Sequence, residues 1–292
     1  MSDRIFQQNP DDKQGPRPGG PFLIQMLFKE PVPMPDKESM TAVMQRHIGA
    51  VECFHCDTKM AGFTALEHIA EFKEGKAPVQ LMVMGCNEFK GKGFDAFLVS
   101  QMWDCQKDRE RILRECKYQV VATDMLAGAL PALERANLDA DFVEALAELY
   151  PGCEAFFFQN CGKLLLAEDV RSHQIEGPDR FIRFGVNVRF FNIQGTEDKI
   201  IDTVGMSTLC LPDLQYHFRG MNPNWVVNHA YNVASYILEY DNPIQDGETI
   251  DGVADGQMSQ EIQWVCRYED ALIQPPRAVL DINMGEYASG NR

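Results

Sequence analysis

The chain has 292 residues, of which 45% are hydrophobic, 10% aromatic and 24% charged, a composition typical of a globular protein and unlike collagen or a disordered chain. Twenty-seven Lys and Arg against 43 Asp and Glu give a formal net charge of −16, which repels nucleic acid phosphates and anionic lipids and favours basic partners. The length allows one large domain or two fused smaller ones.

The sequence also indicates the compartment. No uninterrupted apolar run is long enough to cross a bilayer, and the first residues lack the apolar core of a secretory signal. The nine cysteines are an odd number spread along the chain, unlike the dense, even set of a small secreted disulfide scaffold. We therefore expect a cytoplasmic protein with reduced thiols, no membrane association, no nucleic acid partner and no cofactor.

The early part of the chain predicts an arm followed by alternating strands and helices. Residues 1–21, rich in Pro and Gly, predict a disordered arm. Asp36 is expected to cap a helix over 37–48. The stretch 125–150 is expected to be helical but broken before Asp139, which would cap a second helix. Strands are predicted over 22–28, 50–55, 59–72, 79–84, 118–123, 153–158 and 163–166.

The later part opens with an aromatic and β-branched run over 181–191 that predicts a strand, paired through a tight turn with a second strand over 199–208. Asn222 before Pro223 predicts the start of a helix that ends near Glu239. Two further strands are predicted to close the chain, over 262–266 and 278–282.

Together these elements predict an α+β protein with a mixed, mainly antiparallel sheet or sheets and packed helices. A β-α-β-β rhythm recurs in both parts of the chain, which suits two similar α+β lobes. We place the lobes at 22–175 and 176–292, packed together as one unit.

One cluster suggests metal or redox chemistry. Cys53 and Cys56 have the spacing of metal ligands or of a redox dithiol, and His55 lies between them. A structural zinc site needs four ligands, and the sequence has no second CxxC or HxxxH pair to complete it. We expect a structural role for the pair, with metal binding or redox chemistry as the alternative.

A second cluster suggests cation binding. The Asp246–Asp255 segment gathers four carboxylates of the kind that hard cations prefer, but no EF-hand register fits it. Its Asp-Gly steps are typical of tight turns, because glycine takes positive φ without strain. We expect a solvated, turn-rich loop, with cation binding as the alternative.

The candidate catalytic residues lie in the later part of the chain: Asp202, Asp213, His217 and His229. Arg189 and Arg219 are the candidates for binding an anionic substrate. A histidine oriented by a carboxylate is the minimum for general-base chemistry. No GxSxG, HExxH, P-loop or GxGxxG motif accompanies them, so core packing and capping are the alternative roles.

Four segments of the later part, in this order, resemble the bacterial family known as domain of unknown function 4261: DTVGM at 202–206, LPDLQY at 211–216, NVASYILE at 232–239 and DGETI at 246–250. The earlier SQMW at 100–103 and VVATD at 120–124 fit the family as well, and the resemblance extends over residues 22–285. It implies an α+β fold and supplies no established activity.

Two functions are compatible with these observations. The first is a non-enzymatic, acidic, protein-binding module, toxin-neutralising or assembly-associated, whose partner is another protein of basic character. Its basis is the charge of −16 together with the missing catalytic motifs. The alternative is a hydrolase or metal-dependent enzyme with a His, Asp and Arg site in the C-terminal half, which predicts that those side chains meet in one concave pocket.

Overall fold

The computed structural model describes residues 20–290, which form seven helices and fourteen strands in two mostly antiparallel sheets. The predicted α+β class is confirmed. The described residues divide into two compact units, 20–185 and 186–290, which we call the N-terminal and C-terminal units. Of the arm predicted over 1–21, all but Gly20 and Pro21 lies outside the described residues. Within residues 20–290 no helix combines the length and the apolar character that crossing a bilayer requires.

The N-terminal unit is built on an eight-stranded sheet in which neighbouring strands are antiparallel. Its strands are β1 (Leu23–Phe28), β2 (Val51–Cys56), β3 (Met60–Phe72), β4 (Gly75–Met84), β5 (Asn87–Glu88), β6 (Tyr118–Met125), β7 (Ala155–Phe158) and β8 (Lys163–Leu166). They lie in the order β2-β3-β4-β6-β1-β7-β8, with β5 paired to β6. Because β6 is antiparallel to both β1 and β4, those two strands run parallel to each other on either side of it.

The helices of this unit are α1 (Lys37–Ile48), α2 (Ala96–Ser100), α3 (Arg109–Glu115), α4 (Ala132–Leu149), α5 (Ala167–Ser172) and α6 (Asp179–Gly185). Asp36 caps α1 as predicted, since its carboxylate accepts the Ser39 N–H at 2.9 Å. The predicted break before Asp139 is wrong, because α4 is continuous. The Asp139 side chain is fully buried beside Arg135, one turn earlier, so it faces the core instead of capping a new helix.

Apolar packing fills the N-terminal unit on both sides of its sheet. Helix α1 packs against α4, where Arg46 and His47 also pair with Glu148. A separate apolar cluster joins β1, β7 and β8 to the segment that contains α3: Leu27, Phe89, Met102, Cys105, Ile112, Cys116, Ala155, Phe157 and Leu164. Each fully buried Leu, Ile or Phe side chain of this kind stabilises the fold by about 1.5–3 kcal/mol.

The C-terminal unit is built on a six-stranded sheet of β9 (Asn187–Asn192), β10 (Lys199–Val204), β11 (Asp213–Phe218), β12 (Thr249–Ala254), β13 (Gln257–Asp270) and β14 (Ala278–Asn283). The order is β12-β13-β14-β11-β10-β9, and the β11–β14 pair is parallel while the other pairs are antiparallel. Strands β12 and β9 are therefore the two edges of this sheet.

Two predictions about these strands are wrong. The run 181–191 is not a single strand, because Phe181, Ile182 and Phe184 are buried on one side of α6 and the strand begins only at Asn187. The Asp246–Asp255 segment is not wholly a loop, because Thr249–Ala254 form β12. Its polar, turn-like composition predicts a loop, but these residues form a strand because they pair with β13. That pairing is a tertiary interaction and cannot be predicted from the local sequence.

Among the described residues of the C-terminal unit, α7 (Pro223–Glu239) is the single α-helix, and it packs on the sheet. It starts as predicted, with Asn222 as its cap and the Asn222 Oδ1 accepting the Asn224 N–H at 3.0 Å. The helix faces the sheet with buried side chains spaced three or four residues apart: Val226, Ala230, Val233 and Ile237. They pack against β9 to β12.

The two units share one topological segment. In the N-terminal unit, β1 leads through α1 to the edge strand β2, and β3 and β4 then return towards β1. In the C-terminal unit, β11 leads through α7 to the edge strand β12, and β13 and β14 return towards β11. The difference is that β14 pairs directly with β11, whereas β6 separates β4 from β1. The two units are therefore similar α+β lobes, as the recurring rhythm of the sequence predicts.

Candidate functional site

Two of the predicted catalytic aspartates and one predicted arginine meet in the C-terminal unit. Arg189 of β9 donates from Nε and Nη2 to the Asp202 carboxylate of β10, at 2.8 and 2.5 Å. Arg277, between β13 and β14, donates to Asp202 at 2.7 Å, and its Nε lies 3.3 Å from Asp213 of β11. Burial raises the pKa of Asp213 to about 6, although the Arg277 charge opposes the shift. Two carboxylates and two guanidinium groups thus form one buried network.

This network is closed to solvent. The two aspartate side chains are 0% exposed and the two arginine side chains 6% and 7%. Arg189 Nη1 donates to the Gln274 carbonyl, Arg277 Nη1 to the Ile273 and Pro275 carbonyls, and Arg277 Nη2 also to the Thr203 carbonyl. The Arg277 Nε and the Asp213 Oδ2 make no hydrogen bond among the described residues and interact as an ion pair. The network fixes β9, β10 and β11 to the segment before β14.

His229 lies elsewhere, on the buried face of α7. Its Nδ1 lies 2.9 Å from the Tyr216 hydroxyl and its Nε2 lies 2.8 Å from the Asp251 carbonyl. A carbonyl only accepts, so Nε2 carries the proton and Nδ1 accepts from the tyrosine. Burial lowers the pKa of His229, which keeps the ring neutral. Both ring nitrogens are therefore engaged, and the ring also packs against Trp264.

His217 and Arg219 form a third group, at the far end of the β10–β11 pair. The His217 Nε2 is 3.6 Å from Asp198 and the Arg219 Nε is 3.9 Å from the same carboxylate. The Arg219 side chain is 62% exposed, so its pairing is screened by water.

The six predicted site residues thus lie in three separate groups. Arg277 was missed, and its signal was indirect: two acidic residues in apolar strands require a buried cation.

The N-terminal unit holds a buried charge cluster that sequence reasoning missed. Arg135 of α4 donates from Nε and Nη2 to Asp124 of β6, at 2.9 and 2.6 Å. Asp139 lies 3.5 Å from Arg135, and neither of its carboxylate oxygens accepts a hydrogen bond. Burial and the neighbouring Asp124 charge raise the pKa of Asp139 well above its ordinary value. A cleft of about 320 Å³ lies over the Asp124–Arg135 pair, with Phe72 among its walls.

The predicted metal candidates are placed as follows. Cys53 is buried and its thiol donates to the His55 carbonyl at 3.2 Å, across a β-bulge in β2. The exposed His55 ring pairs with Asp57 at 3.2 Å, and Cys56 is partly buried. Among residues 20–290, no group of three or more His, Cys, Asp or Glu side chains is arranged to hold a metal ion.

The carboxylates of the Asp246–Asp255 segment mostly accept hydrogen bonds from the chain itself. Asp246 accepts the Tyr268 N–H at 2.8 Å and Glu248 accepts the Gln245 N–H at 2.7 Å. Asp251 accepts from the Gln263 side-chain amide at 2.7 Å. These bonds shape the approach to β12 and the β12–β13 hairpin.

Two adjoining clefts lie between α7 and the β12–β13 hairpin. The first, of about 300 Å³, is lined by aromatic and amide side chains that include Trp225 and Asn228. The second, of about 400 Å³, is lined by Tyr236 of α7 and by the consecutive residues 248–251. Asn232 and Met258 line both clefts, which are therefore neighbours, and together we call them the α7–β12 groove.

All the charged Asp, Glu, Lys and Arg residues in the segment that forms the α7–β12 groove are acidic. Residues 220–266, which contain α7, β12 and most of β13, include no Lys or Arg. They include seven acidic residues: Glu239, Asp241, Asp246, Glu248, Asp251, Asp255 and Glu261. Within residues 20–290, none of these seven carboxylates forms an ion pair. The groove therefore lies in an uncompensated negative field.

Comparison with known proteins gives one match. The family described as Domain of unknown function (DUF4261) matches residues 202–283, a segment that the predicted resemblance includes and that contains Asp202, Asp213, Arg277, α7 and the groove. No curated protein and no solved structure matches the chain.

Proposed function

We propose that this chain, whose residues 202–283 belong to the DUF4261 family, is a non-enzymatic cytoplasmic protein that binds a basic protein partner through the α7–β12 groove. Neutralisation of a basic toxin and docking onto a larger assembly are the two roles that such binding would serve. All nine cysteines are free thiols, which supports a reducing compartment.

The observation that carries the proposal is the charge of residues 220–266, the segment that forms the groove: it holds no Lys or Arg and seven acidic residues, of which Glu248 and Asp251 line the groove. Like charges held close together repel one another, so this surface costs stability unless a partner supplies cations. Complementary charge also speeds association and disfavours wrong partners. The groove adds shape and chemistry to that field, since Trp225 and Tyr236 offer aromatic surface and Asn228 and Asn232 offer amide donors and acceptors.

The enzyme alternative requires its residues to share one pocket. Asp202 and Asp213 instead face buried arginines, His229 has both nitrogens occupied, and His217 lies at the other end of β11. None of the three clefts described in residues 20–290 is lined by Asp202, Asp213 or His217. The geometry thus favours binding over catalysis.

The experiment measures binding of the full chain to a fluorescein-labelled lysine octapeptide by anisotropy, with a glutamate octapeptide as the negative probe. We expect the lysine peptide alone to bind, with an affinity that falls between 25 and 300 mM NaCl because screening weakens exposed ion pairs. Neutralising Glu248→Gln and Asp255→Asn together should weaken binding about 2- to 30-fold, as two ion pairs of about 0.2–1 kcal/mol each imply.

The matched control is Glu52→Gln with Glu74→Gln, which removes the same charge from exposed positions of the N-terminal unit and should leave the affinity unchanged. Equal binding of both peptides, or loss of affinity in the control as large as in the groove variant, would contradict the proposal.

A further inference from the structure

The α7–β12 groove follows the edge of the sheet and not one of its faces. Successive side chains of a strand point to opposite faces, so a cleft over one face touches alternate residues. The cleft beside Tyr236 is lined by Glu248, Thr249, Ile250 and Asp251 in succession. Strand β12 is also an edge of the six-stranded sheet. The groove therefore opens onto the backbone of β12.

The hydrogen-bond pattern shows which backbone groups face the groove. The Cys266 N–H donates to the Glu248 carbonyl at 2.7 Å and the Cys266 carbonyl accepts the Gly247 N–H at 2.8 Å, so the backbone groups of Cys266 point towards this strand. In an antiparallel ladder hydrogen-bonded pairs alternate with pairs whose N–H and C=O point away. Thr249, opposite Val265, and Asp251, opposite Gln263, are the outward-pointing residues. The His229 ring bonds the Asp251 carbonyl from this outer side, as that alternation requires.

We propose that the basic partner of this protein binds as an extended segment that adds a strand to the β12 edge, with Lys or Arg side chains towards the groove carboxylates. This inference rests on the proposed function and specifies how the partner binds. Main-chain bonds to the N–H and C=O of Thr249 and to the N–H of Asp251 would supply affinity, as in other cases of strand addition. Glu248 and the Asp251 side chain would select cations, while Asn232 and Tyr236 form the opposite wall.

A foreign basic segment fits this edge better than a second copy of the chain. Pairing β12 with its own copy would bring Glu248 and Asp251 of one chain towards the same carboxylates of the other. Like charges placed opposite each other on paired strands are destabilising. An exposed edge strand is a template for any extended chain, so the charge decides which chain it accepts.

The test uses the full chain and the labelled octapeptide KVKVKVKV, compared with the same peptide methylated on every backbone nitrogen. Methylation keeps the lysine charges and removes all donors, so strand addition predicts at least a 10-fold loss of affinity. Thr249→Pro removes one outward N–H and should have a similar effect on the unmodified peptide, since proline is tolerated at an edge strand. Asn192→Pro, at an outward position of the opposite edge strand β9, should leave binding unchanged.

Hydrogen exchange of the unmodified protein gives a readout that does not depend on any variant. Bound peptide should slow exchange at the Thr249 and Asp251 amides and leave that of Asn192 unaltered. If both peptides and Thr249→Pro bind like wild type with the same salt dependence, strand addition is overturned while the proposed function stands. Absence of lysine-peptide binding overturns both, and a solution dimer abolished by Thr249→Pro assigns the edge to a second copy and overturns the inference.

Discussion

The two β-α-β-β-β segments of this chain share a topology and differ in charge. Residues 23–84, from β1 to β4, carry six basic and eight acidic residues, a net charge of −2. Residues 213–283, from β11 to β14, carry three basic and eleven acidic residues, a net charge of −8. In the N-terminal segment basic residues are interspersed among the acidic ones, and Glu71 pairs with Lys76. Residues 220–266, which contain α7, include no Lys or Arg, so the same topology carries two different distributions of charge.

The two units also differ in how their buried acidic residues are matched by buried arginines. The C-terminal network balances Asp202 and Asp213 against Arg189 and Arg277. The N-terminal cluster sets two aspartates against Arg135. Burial of a charge is tolerated only when it is paired, so burial and the Asp124 charge raise the pKa of the second carboxyl of the N-terminal cluster, Asp139, and favour its protonated form. The comparison predicts opposite outcomes for removal of an aspartate from the two units.

The largest effect is expected for Asp202→Ala. The substitution leaves Arg189 and part of Arg277 without their buried partner, which should lower the free energy of unfolding by about 3–5 kcal/mol. Urea unfolding followed by circular dichroism measures the change. Asp198→Ala is the matched control on the same strand pair, and because Asp198 pairs with partly exposed groups its loss should cost less than about 1 kcal/mol. Similar costs for the two variants would contradict a closed network.

Asp139→Asn is expected to act in the opposite direction. The pKa of Asp139 is raised in the folded protein above its ordinary value of 3.8, so folding favours the protonated acid. Its contribution to stability is present below about pH 4 and is lost as the pH rises towards the folded pKa. The amide cannot ionise, so the variant should match wild type near pH 4 and be about 1–3 kcal/mol more stable at pH 7. A difference that does not change with pH would show that folding leaves the pKa of Asp139 at its ordinary value, contrary to the prediction.

The smallest effect is expected when the C-terminal groove is given a cation. Asn232→Lys places a positive charge at a residue that lines both clefts, and should weaken binding of the lysine octapeptide about 1.4- to 5-fold through a single repulsive contact of about 0.2–1 kcal/mol. Gln45→Lys adds the same charge to the topologically equivalent helix α1 and should leave the affinity unchanged. Equal weakening by both substitutions would mean that only net charge matters, and that the groove has no special role.

Signals that act over a few residues were readable from the chain. The Asp36 and Asn222 caps, the α+β class and the recurring rhythm of strands and helices follow from local hydrogen bonding and from the period of apolar residues. The acidic charge and the similarity of residues 202–283 to the DUF4261 family were also evident. The same local logic failed at Asp139, where an aspartate suited to a helix start is buried in mid-helix by an arginine one turn away.

The sequence by itself determined the fold class, most element positions and the excess of negative charge, because these depend on composition and short-range order. Only the tertiary structure decided that Arg277 joins Asp202, that residues 249–254 become an edge strand and that α7 forms a groove beside it. Those outcomes depend on pairing between residues tens of positions apart, and the spacing of residues along a chain holds no record of which distant strand lies next to which.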